Sequence, residues 1–216
     1  MVLWFCGFTL DQDDLCYEYL KIKEYDKAIN SCTKIIKLIE SIESVSEKER
    51  SDTLARYYNN RGRAYLEKKE YDKAIVDFTK AVELDPTSFD AYSHLGVVND
   101  SIGNYDKAIE YYTKAIELKP DDFKNYNNRA LAYYAKGEYD KALAEFIRAV
   151  ELDSKDSVSY YNIACLYSLK NNTKEACNWL NKAIEKGYDN WNSIKQDKDL
   201  DNIRSTPCYK RIISGK

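Results

Sequence analysis

The sequence predicts an all-α protein, a solenoid of helix pairs stacked in tandem, and three observations predict it. The phrase Tyr-Asp-Lys-Ala-Ile stands at Tyr71–Ile75 and Tyr105–Ile109, returns as Tyr139–Leu143, and occurs earlier at Tyr25–Ile29. Its spacing is constant along the middle of the chain, since 105 − 71 and 139 − 105 are both 34 residues. A fixed period of this order marks a repeat array. Finally, only 3 Pro and 7 Gly among 216 residues argue against disorder and against many short strands joined by turns.

In chain order, Met1–Leu10 is apolar (Val2, Leu3, Trp4, Phe5, Phe8) but lacks a basic segment and a small-residue cleavage site. It is too short to span a membrane. It reads either as cover for the open end of the array or as the edge of a fragment whose upstream repeats are missing. Thr9–Gln12 has the shape of a capping box opening a helix to about Lys23. A partner helix follows from about Asp26 to about Ile42, with Ile29, Cys32, Ile36 and Ile39 at helical spacing. Tyr25 and Tyr71 are 71 − 25 = 46 residues apart, which exceeds the period by 46 − 34 = 12. The excess, near Ser44–Asp52, is polar, and Ser46 with Glu49 reads as a second capping box. The expectation is two long helices joined by a turn near Val45–Ser46, with residues 1–54 forming a degenerate first repeat.

Three regular repeats follow, over 55–88, 89–122 and 123–156. Their first helices share a stripe at i, i+4, i+7: Tyr58-Gly62-Tyr65, Tyr92-Gly96-Asn99 and Tyr126-Ala130-Tyr133. Their second helices carry Ala74-Phe78-Ala81, Ala108-Tyr112-Ala115 and Ala142-Phe146-Ala149. The small residues mark points where two helix axes approach closely, and the rings fill the space beside them. Pro86 and Pro120 stop the second helices of two repeats. A less regular fifth repeat, 157–187, has Tyr160, Ala164 and Tyr167, then Ala176, Leu180 and Ala183, and ends at Gly187 as a C-cap. Residues 188–216, with Trp191, Ile194, Leu200, Ile203, Tyr209, Ile212 and Ile213, read as short helices capping the last apolar face.

These columns resemble the tetratricopeptide repeat family from about Thr9 to Lys186. The resemblance implies helix-turn-helix pairs wound into a right-handed superhelix with a concave inner groove. Arg61 and Arg129 depart from it by standing where the family has Leu, and the first and fifth repeats are degenerate. The run Asp199-Leu200-Asp201-Asn202-Ile203-Arg204 resembles the segment that closes the array in many prokaryotic members.

Chemistry is sparse. The one histidine, His94, rules out histidine-based zinc sites, Ser-His-Asp triads and Cys-His dyads not built around it. There is no Gly-rich phosphate loop. The chain therefore reads as a non-enzyme with no cofactor and no metal site. A net charge of −3 gives no nucleic-acid footprint. The 6 Cys include no CxxC pair, so the expectation is buried free thiols in a reducing, cytoplasmic compartment, with a Cys165–Cys177 bridge as the alternative.

Recognition remains. The faces of the first helices not used for packing carry Arg56, Asn59, Asn60 and Arg63, then His94, then Lys124, Asn127 and Asn128, then Tyr161 and Asn162. In a solenoid such faces line the inner groove. The reading is an interaction scaffold that docks a peptide or helix of a partner protein. Arg56, Arg63 and Lys124 would supply charge and Tyr161 apolar area, while Asn60, Asn128 and Asn162 would bond the ligand backbone, an amide being both donor and acceptor. Two alternatives stand beside it. One is a carboxylate clamp like that of chaperone adaptors, for which only Lys124 matches the family's set outright. The other is a structural repeat protein that associates with itself, although a monomer is favoured.

Overall fold

In a computed structural model the described residues are 11–42 and 46–214, without the side chains of 11–14. The apolar Met1–Leu10 segment, the Thr9–Gln12 capping box and Val45 of the expected turn lie outside them. Among the described residues there are helices and no strands. None of the helices is long and apolar enough to cross a membrane.

The chain divides into two compact units, 1–120 and 121–216. The first holds α1 (Asp11–Lys21), α2 (Tyr25–Ser41), α3 (Glu47–Glu67), α4 (Tyr71–Leu84), α5 (Phe89–Ser101) and α6 (Tyr105–Leu118). The second holds α7 (Phe123–Ala135), α8 (Tyr139–Leu152), α9 (Ser157–Leu169) and α10 (Thr173–Glu185). It closes with α11 (Trp191–Gln196), a 3₁₀ turn (Lys198–Leu200), α12 (Asp201–Arg204) and α13 (Pro207–Ser214).

The repeated phrase is the start of a second helix. Asp26, Asp72, Asp106 and Asp140 sit in the first turns of α2, α4, α6 and α8, where a carboxylate meets the positive end of the helix dipole. The tight turn before each phrase needs one residue in the left-handed region. Gly103 and Gly137 supply it at φ 80° and 75°, and Lys23, Lys69 and Asn171 do so at 61°, 60° and 58°. A side chain there costs on the order of 1 kcal/mol. The compensation is regular: Glu70, Asn104 and Glu138 donate backbone N–H to Tyr65, Asn99 and Tyr133 carbonyls at 2.8–2.9 Å, satisfying the end of the preceding helix.

The polar excess does lengthen the flanking helices, to 17 residues in α2 and 21 in α3, against 13 or 14 in α4 to α10. Ser46 caps α3 by accepting the Glu49 N–H at 3.3 Å, while its hydroxyl donates to the Glu49 carboxylate at 2.7 Å.

Inside each helix pair the small-residue columns meet rings. A Cβ on Gly62 would lie 2.7 Å from Phe78, and one on Gly96 would strike the Tyr112 ring. Ala130 is fully buried near the 1%-exposed Phe146, and Ala74, Ala81, Ala108, Ala115, Ala142 and Ala149 are all at 0%. The aromatic side chains on the other side of these columns cannot move away because they too are buried.

The cysteines correct the sequence reading. Cys16 is bonded to Cys32 and Cys177 to Cys208, leaving Cys165 as the free thiol among the described residues. The Cα separations of 5.3 and 6.2 Å fit the roughly 4.4–6.8 Å that a disulfide spans. Cys177 therefore pairs with the C-terminal cap and not with Cys165. Nothing in a sequence separation of 31 residues signals that pairing.

Gly96→Ala is expected to destabilise the protein by about 1–3 kcal/mol, because Tyr112 has nowhere to go. Urea unfolding measures it, and an unchanged midpoint would contradict the packing of α5 on α6.

Candidate functional site

Each unit carries part of the expected binding face, and the structure divides its residues into those already bonded and those left open. In the first unit, α3 presents Arg56, Asn59, Asn60 and Arg63, and α5 presents His94. His94 stacks on Phe78 with centroids 5.0 Å apart and planes 19° apart. Its Nδ1 lies 3.0 Å from the Asn59 amide oxygen, so the ring nitrogen is assigned as the donor. Burial, with the nearby Arg63 charge, lowers the His94 pKa to about 4. Asn59 and His94 thus join α3 to α5 and are spent on each other. Arg56 is exposed and lies over the Tyr57 ring at 5.0 Å. Asn60 is only 8% exposed, yet among the described residues neither it nor Arg63 makes a side-chain hydrogen bond or an ion pair.

In the second unit Lys124 is exposed in the first turn of α7. The Asn127 amide donates to Asp156 and accepts from the Ser159 hydroxyl, fixing α7 to the start of α9. Tyr161 is 5% exposed, stacks on Tyr188 at 4.2 Å, and donates its hydroxyl to Asp197 at 2.7 Å. Its ring is therefore covered within the unit. Asn128 and Asn162 are half-buried and make no side-chain hydrogen bond among the described residues.

Beside Asn162 opens a cavity of about 120 Å³, walled by Tyr134 and Phe146, with Cys165, Asp197 and Asp199 within it. Donor atoms of those last three lie within 4.8 Å of one another, the kind of set that can hold a metal ion. Their partners are internal, however. Tyr161 and the Cys165 thiol donate to Asp197, and Tyr134 donates to Asp199. Burial, reinforced by the Asp197 charge, pushes the Cys165 thiol well up, which keeps it protonated and a poor ligand or nucleophile. Burial also raises Asp199. The cluster holds the cap onto α7 and α9.

The sequence reading missed a pair of ion pairs. Arg61 grips Asp77 through two bonds of 2.7 Å, and Arg129 grips Glu145 at 2.8 Å. The spacing is the same in both, 77 − 61 and 145 − 129 being 16 residues. The arginines that looked like departures from a leucine column are half of a partly buried pair whose other half lies in the second helix. In the repeat between them Leu95 and Tyr111 fill the same two positions.

Residues 55–88 and 89–122 match the tetratricopeptide repeat family, and residues 123–186 match it again. The chain belongs to the tetratricopeptide repeat family. Among solved structures it is similar to MamA, at 26% identity and a TM-score of 0.69, over 80% of this chain and 94% of that one. It is similar also to a fragment of MamA from Desulfovibrio magneticus RS-1, at 20% identity and a TM-score of 0.70, over 86% and 95%. A third neighbour is YrrB, described as a tetratricopeptide protein with an unusual peptide-binding site, at 22% identity and a TM-score of 0.67, over 87% and 91%. A comparison with curated proteins finds no match. The fold class is the all-α tetratricopeptide solenoid that the repeat columns predicted.

Two outcomes follow from the bonded residues. Because His94 titrates near 4 when folded and near 6.5 when unfolded, its contribution is complete above pH 6.5 and is lost as pH falls towards 4. The loss is up to about 3 kcal/mol, discounted for residual exposure. Unfolding free energies from urea titration of wild type and His94→Gln should converge by that amount between pH 7 and 4. Arg61→Ala should cost about 3–5 kcal/mol by stranding the buried Asp77 carboxylate. Arg61→Leu with Asp77→Tyr, which copies Leu95 and Tyr111, should unfold near the wild-type midpoint.

Proposed function

We propose that this protein is a non-catalytic scaffold that docks a peptide or helix of a partner protein on the open faces of its first helices. The observation that carries the reading is one column of the repeat. Asn60, His94, Asn128 and Asn162 are spaced by whole periods, since 94 − 60, 128 − 94 and 162 − 128 are each 34. The three asparagines have no side-chain hydrogen bond among the described residues, and Asn60 is nearly buried as well. Such amides still reach solvent, and an extended backbone can replace their water with a carbonyl and an N–H. Arg56, Arg63 and Lys124 stand on the same helices and add charge to each unit's face. The neighbour described as peptide-binding supports the reading by its fold.

The carboxylate-clamp alternative is weakened in the first unit, because Asn59 and His94 are occupied with each other. The self-association alternative remains a rival that light scattering separates: concentration-dependent growth would favour it.

Affinity capture from lysate, run with wild type, with Asn60→Ala/Asn128→Ala/Asn162→Ala, and with the cation variant Arg63→Ala/Lys124→Ala, tests the proposal. A protein held by wild type should be lost by at least tenfold from the amide variant and weakened by the cation variant. Equal capture by all three would place binding elsewhere on the chain.

A further inference from the structure

The two disulfides have the same topological role and opposite accessibility. Cys16–Cys32 ties α1 to α2, and both residues are at 0% exposure. Cys177–Cys208 ties α10 to α13, the last described helix; Cys177 is 5% exposed, but Cys208 is only partly buried. Thiol–disulfide exchange needs a thiolate to reach one sulfur, so access decides which bridge opens first.

What the second bridge holds is also weakly held otherwise. The cap buries Ile194, Leu200 and Ile203 completely, and all three belong to α11, the 3₁₀ turn and α12. Helix α13 contributes one buried side chain, Tyr209, with Ile212 and Ile213 half-covered. Beyond the bridge, its polar ties centre on Tyr209, whose hydroxyl donates to the Ile194 carbonyl at 2.7 Å. Short elements with few buried groups open first.

We propose that Cys177–Cys208 is a redox latch that a dithiol reductant opens to release α13, while Cys16–Cys32 is a buried staple that the same reductant leaves closed. The dithiol's thiolate attacks the Cys208 sulfur and Cys177 departs as a thiolate. The second thiol of the reagent then displaces Cys208 and leaves as a cyclic disulfide. Two electrons pass from the dithiol to the bridge, and the two cysteine thiolates take up protons. Release of α13 uncovers the apolar faces of Ile212 and Ile213 and the part of α10 around Cys177, and the inner layer of the cap stays in place.

The test uses the full chain with dithiothreitol, alkylation by iodoacetamide and peptide mass mapping, with hydrogen exchange followed in parallel. Without reductant, Cys177 and Cys208 should resist alkylation. With it, they should be modified at least tenfold faster than Cys16 and Cys32. Exchange over 207–214 should rise at least tenfold while α9 and the inner cap remain protected. Cys208→Ser, which removes the latch at the edge of the fold, should show the fast exchange without reductant and no further response to it. Alkylation of Cys177 and Cys208 before reduction would overturn the proposal. So would equal rates at the two bridges, or exchange over 207–214 that ignores reduction.

Discussion

Everything in this chain depends on how closely two helices can cross. At Gly62 and Gly96 the backbone of a first helix meets the face of an aromatic ring with no room for a methyl group. Ala130 holds the corresponding place in the next pair. A close crossing fixes the rotation of each helix about its axis, and that rotation decides the fate of every other position. One stripe goes into the core, its neighbours go to the partner helix, and the remainder is left facing out. Because the crossing recurs every 34 residues, so does each of those assignments.

Polar groups reveal the consequences best. At one set of positions arginine reaches a carboxylate in the second helix, and at the intervening repeat leucine and tyrosine serve instead. A partly buried ion pair and a leucine–tyrosine pair thus occupy equivalent places in one column, which fits a desolvation cost that roughly cancels attraction. At another set the repeat leaves amides with no side-chain hydrogen bond among the described residues. Their neighbours Asn59 and Asn127, one position earlier, point to the adjacent first helix and bond His94, Asp156 and Ser159. The difference between a structural asparagine and an open one is about 100° of helix rotation.

That explains how much was legible beforehand. Period, helix pairs, small-residue crossings and the lengthened α2 and α3 could all be read, because each leaves a local mark in the sequence. The pairs Asn59-Asn60 and Asn127-Asn128 look alike as letters, and only geometry separates their members. Tyr161 read as open area because its covering partner, Tyr188, comes from the cap, outside the repeat period. Arg61 and Arg129 read as defects because their carboxylates lie 16 residues on, in the other helix. The Cys177–Cys208 bridge was invisible for the same reason, since Cys208 belongs to no repeat.

The central claim is that open amides in one column meet a partner's backbone. The most direct measurement is the asparagine side-chain amide signals in NMR, followed as the captured partner is added. The account predicts that Asn60 in the first unit, or Asn128 and Asn162 in the second, shift while Asn59 and Asn127 hold still. Movement of Asn59 and Asn127 with the other three unchanged would contradict it.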